Sequence, residues 1–182
     1  MWGYDATQKK FGSQILSLLS RRTHFSRYQL GPKDSHGPDD EPKVYTLETL
    51  MRMNGHTHID ILKIDIEGWE FDTLRAMLSP YLESETPVPF GQLQIEVHAW
   101  NKRFHDFLSW WELIEGVGLR PFMSEPNLVY VNYNRHSGAE LADYSFLNIK
   151  GDNVFISDAR LSSSHHKDSA QDLDDEKRDY HQ

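Results

Sequence analysis

Hydrophobic positions along the chain change period several times, and each change marks an element. Met1 to Tyr4 reads as the end of a strand. Phe11, Ile15, Leu18 and Leu19 then recur at i, i+4, i+7 and i+8, which predicts a helix with one apolar face. His24 to Leu30 is a weak strand. The stretch from Gly31 to Lys43, GPKDSHGPDDEPK, is broken by prolines and glycines and reads as a loop. A short helix over Leu47 to Met53 stops at Asn54-Gly55. Ile59 to Ile66 (IDILKIDI) is almost continuously apolar, as a strand covered on both faces should be.

The helix after it, from Gly68 to Leu78, carries Phe71, Leu74 and Leu78 on one face, and its acidic first turn (Glu67, Glu70, Asp72) suits a positive helix end. Gln92 to His98 (QLQIEVH) is a further strand. A helix over Phe104 to Val117 is expected to turn Phe104, Phe107, Leu108, Trp111 and Ile114 inward, with Gly118 ending it. Leu119–Met123, Leu128–Tyr133 and Tyr144–Ile149 read as three closing strands, the first two joined as a hairpin through Ser124-Glu125-Pro126-Asn127. Alternation of strand and helix patterns predicts an α/β fold with a mostly parallel sheet and an antiparallel hairpin near the C-terminus. Beyond Ser157 apolar residues nearly vanish. The expected organisation is therefore one domain over residues 1–157 and a disordered polar tail over 158–182.

Composition narrows the function. The 182 residues carry a net charge of −9, which opposes binding to a polyphosphate backbone, so nucleic acid is not the expected partner. There is no cysteine, which excludes disulfides, thiolate metal sites and a cysteine nucleophile. No apolar run is long enough for a membrane-spanning helix. A cytoplasmic location follows only if the chain is complete, and localisation is otherwise open.

Ligands of open α/β sheets bind outside the carboxyl ends of the strands. Those ends present Asp5, then Asp65, Glu67 and Gly68, then His98. Helix capping is an alternative use for Asp5 and Glu67. An acid in the place of Asp5 can accept hydrogen bonds from both ribose hydroxyls of an adenosine. Strand parity adds a pairing. Lys63 and Asp65 share one face of their strand, Glu96 and His98 share one face of theirs, and the spacing is equal. The expectation is a Lys63–Glu96 ion pair beside an Asp65–His98 pair, with snorkelling of Lys63 as the alternative.

The run ILKIDIEGWEFDTL, followed by QLQIEVH, WWELIEGVGLRPF, SEPNLVYVN and YSFLNI, resembles the FkbM-type branch of the class I S-adenosylmethionine-dependent methyltransferases. Its hallmark is Lys63, Asp65, Glu67 and Gly68, and the similarity covers about Gly3 to Ile156. The resemblance implies a Rossmann-like sheet, S-adenosyl-L-methionine as cofactor and methyl transfer to an oxygen of a small-molecule acceptor. It implies catalytic roles for Asp65 and His98, with His98 the better general base, and cofactor contacts from Asp5, Glu67 and Gly68. Trp69 and Trp100 could line an acceptor pocket. No metal is expected.

One departure stands out. Such enzymes begin with a strand and a glycine-rich loop that cradles the methionine part of the cofactor, and no clustered G-x-G follows an early strand here. The chain reads as starting one strand late. The Met1–Tyr4 strand is then expected either to pair directly with Ile59–Ile66 or to leave a gap, and cofactor binding is expected to be weak or absent. A catalytically inactive fragment or pseudoenzyme is the alternative function. A hydrolase using Asp65, Glu67 and His98 as metal ligands, and a dinucleotide oxidoreductase, are lesser ones.

Overall fold

A computed structural model describes residues 1–13, 19–133 and 140–156. The expected tail and most of the expected helix after Phe11 lie outside the described residues. The elements are β1 (Trp2–Tyr4), β2 (His24–Ser26), β3 (Gln29–Leu30), β4 (Val44–Tyr45), α1 (Leu47–Asn54), β5 (Ile59–Ile64), α2 (Glu70–Glu83), β6 (Phe90–His98), α3 (Phe104–Gly116), β7 (Leu119–Pro126), α4 (Leu128–Tyr133) and β8 (Leu141–Asn148). The fold is mixed α/β.

The main sheet has the order β5-β6-β8-β7. β5 and β6 run parallel, while β8 is antiparallel to both β6 and β7. The mostly parallel sheet expected from the sequence is thus a mixed one. Parallel pairing also joins β1 to β2 and β3 to β4 in two separate two-stranded sheets.

Helix ends follow local chemistry. Thr46 caps α1 by accepting from the Thr49 N–H, and Gly55 ends it in the left-handed region at φ 69°, which costs glycine nothing. Asp34 braces this start, accepting from the Thr46 N–H and from the hydroxyls of Thr46 and Thr49. The core gathers Leu47 and Met51 of α1, Phe71, Leu74 and Leu78 of α2, and Trp110 and Ile114 of α3 against Leu93, Ile95 and Val97 of β6. Leu93 lies across from Phe146 and Ile95 across from Tyr144, and Trp111 packs on both aromatic partners.

Several expectations are corrected here. Leu128–Tyr133 is a helix, so the C-terminal hairpin pairs β7 with β8 instead. Asn127 decides this by accepting the Tyr130 N–H on its side-chain oxygen, an N-cap at the first turn of α4. Phe104 is 78% exposed, and Trp110, fully buried, takes the central place that periodicity gave to its neighbours. The strand IDILKIDI is not covered on both faces: Ile61 and Lys63 are exposed. They share their face with Gln92 and Gln94, across the β5–β6 register.

Among the described residues β5 is hydrogen-bonded only to β6. Its other edge faces a cleft of about 750 Å³, walled by β1 on one side and by Ile59 to Ile66 on the other, with Leu50 and Met51 of α1 at its floor. Of the two expectations for β1, direct pairing with β5 is the one the structure excludes. β1 turns to β2, and the gap between β1 and β5 is this cleft.

Candidate active site at the carboxyl ends of β5 and β6

The turn from β5 into α2 is tight and unusual. Glu67 takes a positive φ of 54° and Gly68 one of 98°. A glycine holds such a conformation freely, but a glutamate pays for it, and observed strain of this kind concentrates at functional sites. The turn is fastened from below by Glu70. Its Oε1 accepts the N–H groups of Ile66 and Gly68, each at 3.1 Å, and its Oε2 shares the Gly68 donor at 3.1 Å. The Glu70 side chain is fully buried.

The same Glu70 Oε1 lies 3.0 Å from His98 Nδ1. This oxygen already accepts two backbone N–H groups and acts as an acceptor toward the ring as well. Nδ1 therefore carries the proton, and the network assigns the tautomer. The other ring nitrogen, Nε2, points out of the core toward the rim, 3.5 Å from Glu67 Oε2 and without a hydrogen bond among the described residues. The imidazole is 97% buried and the Glu67 side chain 78% exposed, so the rim is wet on one side and dry on the other. Trp100 leans on the His98 ring at 4.6 Å and is held by its Nε1–H donating to Tyr130 Oη.

Asp65 completes the cluster. Each of Asp65, Glu67 and His98 offers one ligand atom, and these atoms lie within 4.8 Å of one another. Burial holds the Asp65 carboxyl above its usual range, the Glu96 carboxylate adds to this, and His98 offsets part of it. Asp143, which faces Glu96 across the β6–β8 pairing, is raised for the same two leading reasons, burial and Glu96.

The structure thus brings Asp65, Glu67 and His98 together, as strand-end reasoning expects. It does not form the Lys63–Glu96 ion pair. The β5–β6 register sets Lys63 opposite Gln94 and Ile64 opposite Ile95, which leaves Glu96 one same-face step beyond Lys63. Glu96 instead accepts from Asn127 Nδ2 at 2.9 Å. Equal spacing within two strands fixes which residues share a face but not their register, and here a two-residue slip preserved every face while changing every partner. Gly68 gives its N–H to Glu70, so that donor is not open to a cofactor. Trp100 stands at the site, while Trp69 is half exposed. The residue that sequence reasoning missed is Glu70. Its position in the acidic first turn pointed only to the helix dipole, and nothing local showed that it would turn back under its own loop.

Asp5 ends β1 and folds into a local turn. Its Oδ1 accepts from the Thr7 N–H (2.7 Å), the Thr7 hydroxyl (2.6 Å) and the Gln8 N–H (3.1 Å). Its Oδ2 has no partner among the described residues. These bonds close a side-chain turn and cap no helix among the described residues, and one oxygen is left for a ligand hydroxyl. The adjacent cleft, at about 750 Å³, falls within the ordinary size range of small-ligand pockets.

The FkbM methyltransferase domain family matches residues 3–121. This chain belongs to that family. A search of the curated proteins gives no match. Among solved structures, a fibrillarin pre-rRNA processing protein from Methanococcus jannaschii is similar at 9% sequence identity and a TM-score of 0.42, covering 83% of this chain and 66% of that one. This FkbM-family chain thus spans just under two thirds of the length of that protein, and at such a score the likeness carries no argument. The family match takes in β1, the cleft, the strained Glu67–Gly68 turn and His98. No helix among the described residues is long and apolar enough to cross a membrane.

Proposed function

We propose that this FkbM-family domain transfers a methyl group from S-adenosylmethionine to an oxygen of a small-molecule acceptor. The observation that carries the reading is His98: a buried imidazole with Nδ1 pinned on Glu70 and Nε2 presented at the carboxyl rim beside Asp65. When bound, the cofactor supplies an electrophilic methyl on a sulfonium. The protein's part is to hold the acceptor in line and to manage its proton.

Asp5 Oδ2 would accept from a ribose hydroxyl, with the nucleoside in the cleft between β1 and β5. An acceptor hydroxyl at the rim would donate to His98 Nε2. As that oxygen gains a methyl it loses its proton to Nε2, and the resulting imidazolium is stabilised by the buried Glu70 carboxylate. Trp100 would support a flat or apolar acceptor next to the ring.

Calorimetry with S-adenosylmethionine tests the first half. Weak but saturable binding is expected, since no glycine-rich loop among the described residues supports the methionine end, and Asp5→Ala should weaken it about tenfold further, equal to about 1.4 kcal/mol. No binding, or binding indifferent to Asp5, overturns the placement. In an active preparation, His98→Ala should lower turnover by roughly 10²–10⁴-fold, and unchanged turnover would demote His98 to a packing residue.

A further inference from the structure

His98 Nε2 and Glu67 Oε2 confront each other at 3.5 Å. With Nδ1 carrying the proton, Nε2 is a lone pair, and the carboxylate facing it is also an acceptor. Asp65 adds a third acceptor within 4.8 Å. In the neutral tautomer three acceptors converge on one point with no donor among them, and either a second ring proton or a cation relieves their repulsion.

We propose that Asp65, Glu67 and His98 bind a divalent transition-type cation, manganese or zinc. A nitrogen donor with two carboxylate oxygens suits these ions better than calcium or magnesium, which prefer all-oxygen sets. The arrangement behind the imidazole is the one a ligating histidine requires. Glu70 accepts from Nδ1, which fixes the tautomer, orients the ring and raises the basicity of Nε2. That carboxylate is fully buried and anchored by the Ile66 and Gly68 N–H groups, so the imidazole is pre-aimed before any ion arrives.

Ligand atoms on one tetrahedral zinc ion lie about 3.3–3.6 Å apart, given bond lengths of about 2.0–2.2 Å. His98 Nε2 and Glu67 Oε2, at 3.5 Å, already match this, while the full spread of up to 4.8 Å is wider. Asp65 and Glu67 are both exposed and can close the difference by side-chain rotation, while His98 stays fixed. Three protein ligands leave further positions open at the rim, as in catalytic rather than structural sites. The strained Glu67 backbone gains a purpose, since only that φ turns its carboxylate back toward the histidine. Ion and proton compete for the same Nε2 lone pair, so the ion-bound chain is a form in which His98 does not serve as the base, and the ion-free chain the form in which it does. Binding of the ion does not depend on whether the domain transfers methyl groups.

The test is titration of the metal-free chain with manganese chloride and, separately, zinc chloride, read by calorimetry and thermal unfolding. One ion per chain is expected, with an upward shift in Tm. Manganese spin resonance should show coupling to one imidazole nitrogen. Asp65→Asn and Glu67→Gln, both at exposed positions where folding is not at risk, should each weaken binding at least tenfold, and His98→Gln should abolish the nitrogen coupling. The chain's other histidines supply the control: His165→Ala combined with His166→Ala should leave manganese binding intact. The proposal is overturned by no binding, by binding indifferent to Asp65 and Glu67, or by binding that disappears with His165 and His166.

Discussion

Before α1, strands of two and three residues pair with one another and, through Val44, with Ser35, and among the described residues there Tyr45 is the one large apolar side chain that is buried. From α1 onward, apolar residues between Leu47 and Phe146 close into a single core with Phe90, Leu93, Ile95 and Trp110 fully buried. The first region is held by specific polar ties and ring contacts: Asn54 Nδ2 donates to Tyr4 Oη at 2.6 Å, Asp34 braces Thr46 and Thr49, and Trp2 stacks on His24 at 4.0 Å. The second is held by buried area. Burial of apolar surface adds up over many residues, whereas a half-exposed hydrogen bond contributes only about 1 kcal/mol net. The candidate site is split along the same line. Glu70 and His98 rest on the core, and Asp5 and the cleft wall belong to the lightly held region.

The contrast can be broken most strongly at Phe90. Phe90→Ala should cost about 3–5 kcal/mol, because the cavity it leaves lies in the closed core. Trp2→Ala removes a larger side chain that is 41% exposed, and should cost less than about 1 kcal/mol. Urea unfolding of both variants measures the difference. Equal losses would show that the two regions share one core after all.

A sharper probe of the first region is Asp34. Burial alone would raise its carboxyl, but the bonds from the Thr46 N–H and the Thr49 and Thr46 hydroxyls outweigh it and hold the group below its ordinary range. A group lowered on folding contributes stability above its unfolded value, near 3.9, and loses it as pH falls through the folded one. Asp34→Ala should therefore cost about 1 kcal/mol at pH 7. The curves of variant and parent should begin to converge only as pH falls below about 4. A constant difference down to the acid transition would show that ionisation of Asp34 is irrelevant.

The smallest effect is expected at Asp143, on the second region's polar rim. Burial and the Glu96 carboxylate raise this carboxyl, so its charged form is disfavoured in the folded state and weighs against stability at neutral pH. Asp143→Asn should stabilise the chain by a few tenths of a kcal/mol, a figure discounted for the hydration of a partly exposed group. A loss of stability on this change would mean that Asp143 has a partner that needs its charge.

The sequence by itself determined a good deal. Apolar period gave β5, α2, β6, α3 and the end of α1 at Gly55, because burial on one face leaves a repeat that can be counted. The strand-end rule picked out Asp65, Glu67 and His98 with no distance known, and parity put Lys63 and Asp65 on one face. Three things needed the tertiary structure. Partner choice across β5 and β6 depended on register, which the packing of Ile64 beside Ile95 set two residues away from the equal-spacing alignment. The state of Leu128–Tyr133 depended on a capping bond from Asn127, a residue that also holds Glu96, so a β-prone segment became a helix. The tautomer of His98 depended on Glu70, which reaches the ring from 28 residues away only because the β5–α2 turn folds its own first helical residue underneath. Period and spacing are local properties of a chain; register, caps and buried polar partners are made by segments that meet only once it has folded.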